Sequence, residues 1–344
     1  MNTKRKYRIG VIPGEGIGRE VVKASVGVLK TLDDLDQDFS LEFHEMDVGE
    51  RAAAKYGDAI PQETLEGIRG TDTVLFGAVG HPYSATVIRG LRMGFDLFAK
   101  VCPIKALPGT QAFRPHTDLI IVRETTEGLY RGTGYVDGDY YVNLRVLTRK
   151  GMERVIRFGF ELAMKERRKK VTLTHKADAL EYTDEPMREM FYVIAKDYPS
   201  IRAEDVTIDT CAMQIVMKPE KFDVILAENA NGDILSDVGA GVVGGMGLTP
   251  SGNFGDSMAI FEPVHGTAPK YAGKNVANPI AAIMSCKMMF DYLGESSVSG
   301  RIEQAVCEVL AEEKRQTYDL GGRSSTTEVA EAVSQKIIQN WKET

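Results

Sequence analysis

The stretch YRIGVIPGEGIGREVVKASVGVLKTL, residues 7–32, decides the fold. Residues 7–13 form a short β-like apolar run, GEGIG at 14–18 interrupts it, and residues 19–32 place apolar side chains at helical spacing. This is strand, loop, helix. The same beat returns at 72–77 (DTVLFG), 119–122, 170–174 and 224–227, each run short, apolar and followed by polar residues or glycine. Such runs predict buried, partly parallel strands, and their alternation with helical segments predicts an α/β fold with helices on both faces of the sheet. Residues 131–148 (RGTGYVDGDYYVNLRVLT) depart from the beat by alternating around a DG turn, which predicts a β-hairpin, either an arm that joins a dimer or a surface hairpin of one subunit. Residues 302–341 are helical and amphipathic, interrupted by GGRSST at 321–326.

The 344 residues are 43% hydrophobic and 26% charged, which excludes a disordered chain and suits roughly two globular domains. With 42 basic and 49 acidic residues and a net charge of −7, the chain has no broad basic footprint for nucleic acid or for a membrane surface. Any anion must therefore be held by local clusters. Cys102, Cys211, Cys286 and Cys307 lack CxxC spacing, which predicts reduced thiols and a cytoplasmic protein. The opening MNTKRKYRIGVIPG has no signal-peptide core, and no apolar run is long enough to span a bilayer.

Several segments could carry chemistry. GEGIG could lead a phosphate to a helix N-terminus, yet it is not GxGxxG and reads equally as a tight turn. In AENANGDILSDVG (227–239), Asp233 and Asp237 stand at i and i+4 near a helix start, where two carboxylates suit Mg²⁺ or Mn²⁺; the plain alternative is acidic capping of the helix. Arg92 and Arg123 are candidate carboxylate clamps, with surface ion pairs as the alternative, and Tyr130 and Lys176 are candidate proton donors or acceptors. FEPVHGTAPKYAGKNVANP (261–279) is too rich in glycine, proline and polar residues for a strand or helix, which predicts a long ordered binding loop. In it His265 could contact an adenine, the backbone of Gly266, Thr267 and Ala268 a pyrophosphate, and Asn278 a base edge.

Taken together, LRMGFDLFA (91–99), VRETTEGLY (122–130), HKAD (175–178), IDTCAMQ (208–214), NGDILSD (231–237), EPVHGTAP (262–269) and ANP (277–279) resemble the isocitrate and isopropylmalate dehydrogenases, in the family's order along the whole chain. The resemblance implies an isopropylmalate-dehydrogenase-like two-domain fold. A discontinuous nucleotide-binding domain (1–99 and 249–344) would carry the doubly wound sheet, and a central domain (100–248) the dimer interface and the arm. It implies a homodimer with shared active sites. Asp233 and Asp237 would bind Mg²⁺ or Mn²⁺ with the partner's copy of Asp209. Tyr130 and the partner's copy of Lys176, with Asp209, would handle protons. The activity implied is NAD(P)-dependent oxidative decarboxylation of a 3-substituted malate.

The chain departs from the family in telling places. Cys102 precedes Pro103 where the family has a third clamp arginine, a loss worth roughly 1.5–3 kcal/mol of binding unless replaced. Regulatory subunits in the family share that loss, so a non-catalytic subunit is the rival reading, against which stand Tyr130, Lys176 and all three aspartates. Arg89, with Thr86, lies where the family reads the C3 substituent, which favours a carboxylated group as in isocitrate or homoisocitrate over isopropylmalate, D-malate or tartrate; Ile88 replaces an asparagine of isocitrate enzymes. Lys270 and Tyr271 resemble the pair that holds the 2′-phosphate of NADP, while Ala277 resembles the NAD pattern. Asp178 replaces an asparagine near the nicotinamide, and Glu15 and Arg19 are milder changes in the first loop.

Overall fold

A computed structural model describes residues 4–342. β1 (Arg5–Ile12) leads through the glycine loop into α1 (Gly18–Leu35) and β2 (Phe39–Glu45); α2 (Gly49–Tyr56), α3 (Gln62–Arg69), β3 (Thr73–Phe76), α4 (Ser84–Gly94), β4 (Ala99–Lys105) and β5 (Asp118–Glu124) follow. β6 (Gly134–Asp137) and β7 (Tyr140–Asn143) pair antiparallel as the expected hairpin, largely exposed. The chain continues through α5 (Arg149–Lys165), β8 (Lys170–His175), α6 (Asp184–Ala195), β9 (Arg202–Thr207), α7 (Ile208–Met217), β10 (Val224–Ala227) and α8 (Asn229–Val242). It ends with β11 (Pro250–Phe254), β12 (Ala259–Pro263), α9 (Ile280–Tyr292), α10 (Ser296–Ala311) and α11 (Thr326–Lys342). All five sequence-read runs are strands, and the fold is α/β as expected.

One ten-stranded sheet runs in the order β2-β1-β3-β12-β11-β4-β5-β10-β8-β9. Both flanks are parallel, and the strands reverse only where β11 pairs antiparallel with β12 and β4, and β4 with β5. β4 tolerates Pro103 because β11 pairs only with residues 99–101, so no strand asks for an N–H at 103 on that side.

Strand periodicity sorts the core into two layers. Ile9, Val11, Leu75, Val101, Ile120, Val122, Val171, Leu173, Val224 and Leu226 face α1, α5, α6, α9, α10 and α11 in one continuous apolar layer. On the opposite face the apolar layer is split in two. Ile12, Val74, Phe76 and Ile260 pack with α3 and α4, whereas Cys102, Ile104, Leu119, Ile121 and Ile225 pack with α7 and α8. In the gap between those clusters that face of the central strands carries the buried polar side chains Lys100, Arg123, Asn253 and Glu262. Among the described residues no helix is long and apolar enough to cross a membrane, and all four cysteines are unpaired.

The first loop is a tight turn rather than an open phosphate cradle. Three of its amides are committed: Glu15 N donates to the Ala78 carbonyl, Ile17 N to that of Thr267 and Gly18 N to that of Glu15. Glu15 accepts from the amides of Glu50 and Gly80, each at 2.7 Å, and Arg19 Nε donates to the Gly14 carbonyl. Residues 261–263 correct the expected loop span, because they finish β12 against β11 and the loop proper begins at Val264. Backbone pairing overrides the glycine and proline content that disqualified the segment by composition. Gly16 has φ +57, and a Cβ there would lie 2.1 Å from the Thr267 carbonyl, whereas Gly27 in α1 has open space around it. Gly16→Ala should therefore lower unfolding free energy by about 1–3 kcal/mol and Gly27→Ala raise it by about 0.5–1 kcal/mol, as read from urea transitions.

Candidate active site

The floor of the gap is built by register. Lys100 is paired with Arg123 on β5 and with Asn253 on β11, so three polar side chains line up across three strands. Lys100 Nζ donates to Glu262 Oε1 at 2.9 Å, and Asn253 Nδ2 donates to the same oxygen at 2.8 Å. Burial opposes ionisation of Glu262, yet the charges of Lys100 and Arg92 and these hydrogen bonds outweigh it and hold its carboxyl below the usual range. Arg92, on the last turn of α4, donates from Nε to Asn253 Oδ1 at 3.3 Å and forms no ion pair with any carboxylate among the described residues. Burial, with Arg123 adding to it, pulls its guanidinium down to about 10, a cation held without a counterion. Arg123 donates from Nε and Nη2 to Asn229 Oδ1 at 3.1 and 2.7 Å and from Nη1 to Asp233.

Helix α8 supplies the acids. Its N-cap is Glu228, whose Oε1 accepts from the Asn231 amide at 2.7 Å, so Asp233 and Asp237 lie beyond the first turn and do not cap it. The capping alternative thus falls to another residue. Among the described residues the Asp237 carboxylate has no hydrogen bond or ion pair, and desolvation together with the Asp233 charge raises it. Tyr130 stands beside them, its ring 5.6 Å from the Arg123 guanidinium carbon and its phenol raised by desolvation and by Asp233.

Lys176 and Asp209 form a separate, exposed cluster. Lys176 Nζ donates to Asp209 Oδ1 at 2.8 Å and lies 3.4 Å from Asp178 Oδ2; the hydrogen bond to Asp209 leads in raising the ammonium and lowering the carboxyl. Among the described residues no three acidic, histidine or cysteine side chains of one chain are grouped to hold a metal, so Asp209 is not brought to Asp233 and Asp237 within a subunit.

The loop after β12 presents the remaining residues. His265 is buried, donates from Nδ1 to the Gly266 carbonyl at 3.0 Å, and leaves Nε2 buried without a partner among the described residues. Gly266, Thr267 and Ala268 run past the first loop, Ala268 with φ +38, and the Thr267 carbonyl receives the Ile17 amide. Lys270 is exposed, 5.6 Å over the Tyr271 ring and without an acidic partner, and Tyr271 in turn approaches Tyr318. Asn278 is engaged locally, donating to Asp319 and accepting from the Ile280 amide, and Ala277 is packed with Ile17 and Val21. Arg89 and Thr86 are exposed on one side of α4, and the Arg89 guanidinium covers Gly132, where a Cβ would lie 2.7 Å from Nη1.

Residue reading missed Lys100, Asn253, Asn229 and the use of Glu262. The available signal was a charge inside an otherwise apolar strand run, as in FAKVCPI (98–104) and AIFEP (259–263).

This arrangement matches known proteins over its whole length. The family model for isocitrate/isopropylmalate dehydrogenase matches residues 8–333. The chain belongs to that family. A 3-isopropylmalate dehydrogenase of Archaeoglobus fulgidus is 45% identical over 327 residues, covering 95% of this chain and 98% of that one. An isocitrate/homoisocitrate dehydrogenase of Thermus thermophilus is 43% identical over 336 residues, covering 96% and 98%. The crystal structure of isocitrate dehydrogenase from Methylococcus capsulatus superposes with a TM-score of 0.91 at 39% identity, covering 96% of this chain and 99% of that chain. This dehydrogenase is thus a decarboxylating oxidoreductase with the family's α/β fold, and the family uses NAD(P) and a divalent metal.

Its residues fit both groups. Asp237, unpartnered and repelled by Asp233 one helical turn away, is a donor set that a hard divalent cation would relieve. The orphaned His265 Nε2 and the unpaired Lys270 offer a donor or acceptor and a cation to a nucleotide. Burial holds His265 below the ordinary histidine value of 6.5. The unfolded chain therefore takes up the proton first, and stability falls as pH drops through that value. Urea midpoints measured downward from about pH 7.5 should decline, and His265→Gln should decline less steeply over the ordinary histidine range.

Proposed function

We propose that this dehydrogenase oxidatively decarboxylates a malate carrying a carboxylated group on C3, of the isocitrate or homoisocitrate class. The observation that carries the reading is the charge pattern of the cleft. Arg92, Lys100 and Arg123 face Glu262, Asp233 and Asp237, a balanced set to which a divalent cation adds two positive charges, matching the two carboxylates of a malate core. Arg89, exposed on α4 without an acidic partner, adds the cation that a third carboxylate needs, with Thr86 one turn before it. The runner-up, isopropylmalate, is favoured by the 45% identity to an enzyme of that name.

The metal, held by Asp233 and Asp237, would supply Lewis-acid polarisation of the C2 oxygen, and the nucleotide the hydride acceptor. Arg92 holds one carboxylate. Arg123, which engages Asp233 in this structure, would hold the other with a cation on that aspartate. Lys176 relays the hydroxyl proton to Asp209 as hydride leaves C2. Carbon dioxide then departs from the 2-oxo acid, and the Tyr130 phenol protonates the enol carbon left behind. Lys176 and Asp209 come from the second copy of the chain, a reading supported by their separation from Asp233 and Asp237 in one subunit and by a hairpin that exposes Tyr135, Tyr140 and Tyr141, the last at 82%. The two halves of the sheet, 1–99 with 249–344 and 100–248, are the domains that close on substrate. Lys270 and Tyr271 favour NADP over NAD, and the free thiols suit a cytoplasmic enzyme.

The test is reduction of NAD and NADP with Mn²⁺ across isocitrate, homoisocitrate, isopropylmalate, D-malate and tartrate. A tricarboxylate should give the highest kcat/KM, and no turnover on any acid would sink the reading. Arg89→Leu should lower kcat/KM for the tricarboxylate by roughly 10- to 150-fold, the equivalent of one charge-assisted contact, while raising it for isopropylmalate. Lys270→Asp should move the NADP to NAD ratio toward NAD, and an unchanged ratio would remove the lysine from cofactor choice.

A further inference from the structure

Arg145 leaves the hairpin after β7 and turns inward, its side chain only 11% exposed, into a cluster with two carboxylates that are more deeply buried. Nη1 pairs with Asp184 Oδ1 at 2.8 Å, and Nε lies 3.5 Å from Glu228 Oε2. Each carboxylate grips a different functional element with its other oxygen. Asp184 Oδ2 accepts the backbone amide of Lys176 at 2.7 Å, and Glu228 Oε1 caps α8 through the Asn231 amide, two residues before Asp233. A third element is clamped as well. The Gly128 amide donates to the carbonyl of Val146, next to Arg145, at 2.9 Å, and Gly128, with φ +78, packs so close that a Cβ there would lie 3.1 Å from Glu228 Oε2. Tyr130 follows two residues later.

We propose that Arg145 is a positioning residue that sets the Lys176 turn, the Tyr130 loop and the N-terminus of α8 against one another. The inference deepens the functional reading above and rests on its assignment of Lys176, Tyr130, Asp233 and Asp237. A guanidinium suits the task because its planar fork can engage two carboxylates from different directions, which a lysine ammonium does with less geometric definition. The Asp184 side of the tie is closed. The Glu228 side is open: Arg145 Nε and Nη2 and Glu228 Oε2 are buried without hydrogen bonds, so a short movement of the hairpin exit tightens it. Because Lys176 acts in the other subunit's site while Tyr130 and the α8 aspartates act in the chain's own, this one side chain ties the two sites of a dimer together.

The test uses full-length Arg145→Gln and Arg145→Lys, with two readouts. One is Mn²⁺ affinity by electron paramagnetic resonance in the absence of substrate, and the other is kcat against KM for the best acid. Arg145→Gln should bind Mn²⁺ at least fivefold more weakly and lose at least tenfold in kcat with KM little changed, and Arg145→Lys should recover part of both. Should Arg145→Gln fail to fold, the triple variant Arg145→Met, Asp184→Asn, Glu228→Gln removes the three charges of this cluster while keeping both side-chain oxygens that accept from the Lys176 and Asn231 amides. It should fold and show the same losses. A folded variant with wild-type kcat and Mn²⁺ affinity would overturn the proposal. If the wild type turns over none of the acids, the functional reading fails instead, and the Mn²⁺ comparison alone decides the role of Arg145.

Discussion

The contact on which the rest of the arrangement depends is the Lys100 ammonium on the Glu262 carboxylate, 2.9 Å apart and nearly enclosed at the centre of the sheet. It spans β11, joining β4 to β12 over the strand whose direction reverses between the two parallel flanks. Enclosing two charges is costly, and breaking such a pair by removing one partner leaves the other uncompensated. Asn253 lowers that cost by donating to the carboxylate while accepting from Arg92, so one amide links the pair to the cation that has no counterion of its own. The polar strip also keeps the two apolar clusters of that face from merging, which leaves a cleft floor where a uniformly apolar sheet would have been covered by helices.

The chemistry of the cleft follows from this division. Cations come from the sheet floor and α4, acids from Glu262 on β12 and from α8; Lys100 pairs with Glu262, and Arg123 reaches α8 at Asp233. That pairing places a guanidinium of the sheet directly on a carboxylate of the helix. Cys102 sits just beneath, buried among Ile104, Ile121 and Leu235, where burial raises its thiol and leaves it an apolar filler rather than a donor. Lys100, two residues before it on the same strand face, is the cation whose charge acts most on that thiol.

Strand and helix beats, the hairpin and the i, i+4 aspartates were legible because each is a local pattern: alternation, turn residues or helical spacing within one short window. β4, β11 and β12 were not, since Lys100, Pro103, Asn253 and Glu262 break the apolar run that marks a buried strand. β11 meets β4, and β12 meets β3, across more than 100 residues of chain, and in that context the same polar side chains line up on one face of the sheet. The glycine loop was legible as a turn or a phosphate cradle but not as one rather than the other, because the carbonyls that occupy its amides belong to residues 78 and 267.

The sequence by itself therefore determined the fold class and the family and supplied the candidate site residues, all of which rest on short-range spacing and on motifs in a fixed order. Only the tertiary structure decided which of those residues meet. Among the described residues it put Arg123 on Asp233, left the Asp237 side chain without a partner and Arg92 without a counterion, separated Lys176 and Asp209 from the α8 carboxylates, and assigned the helix cap to Glu228. The physical reason is that charge pairing and desolvation are set by distance and enclosure. A chain acquires these when strands from both ends of the sequence enter one sheet, and no window of residues contains them.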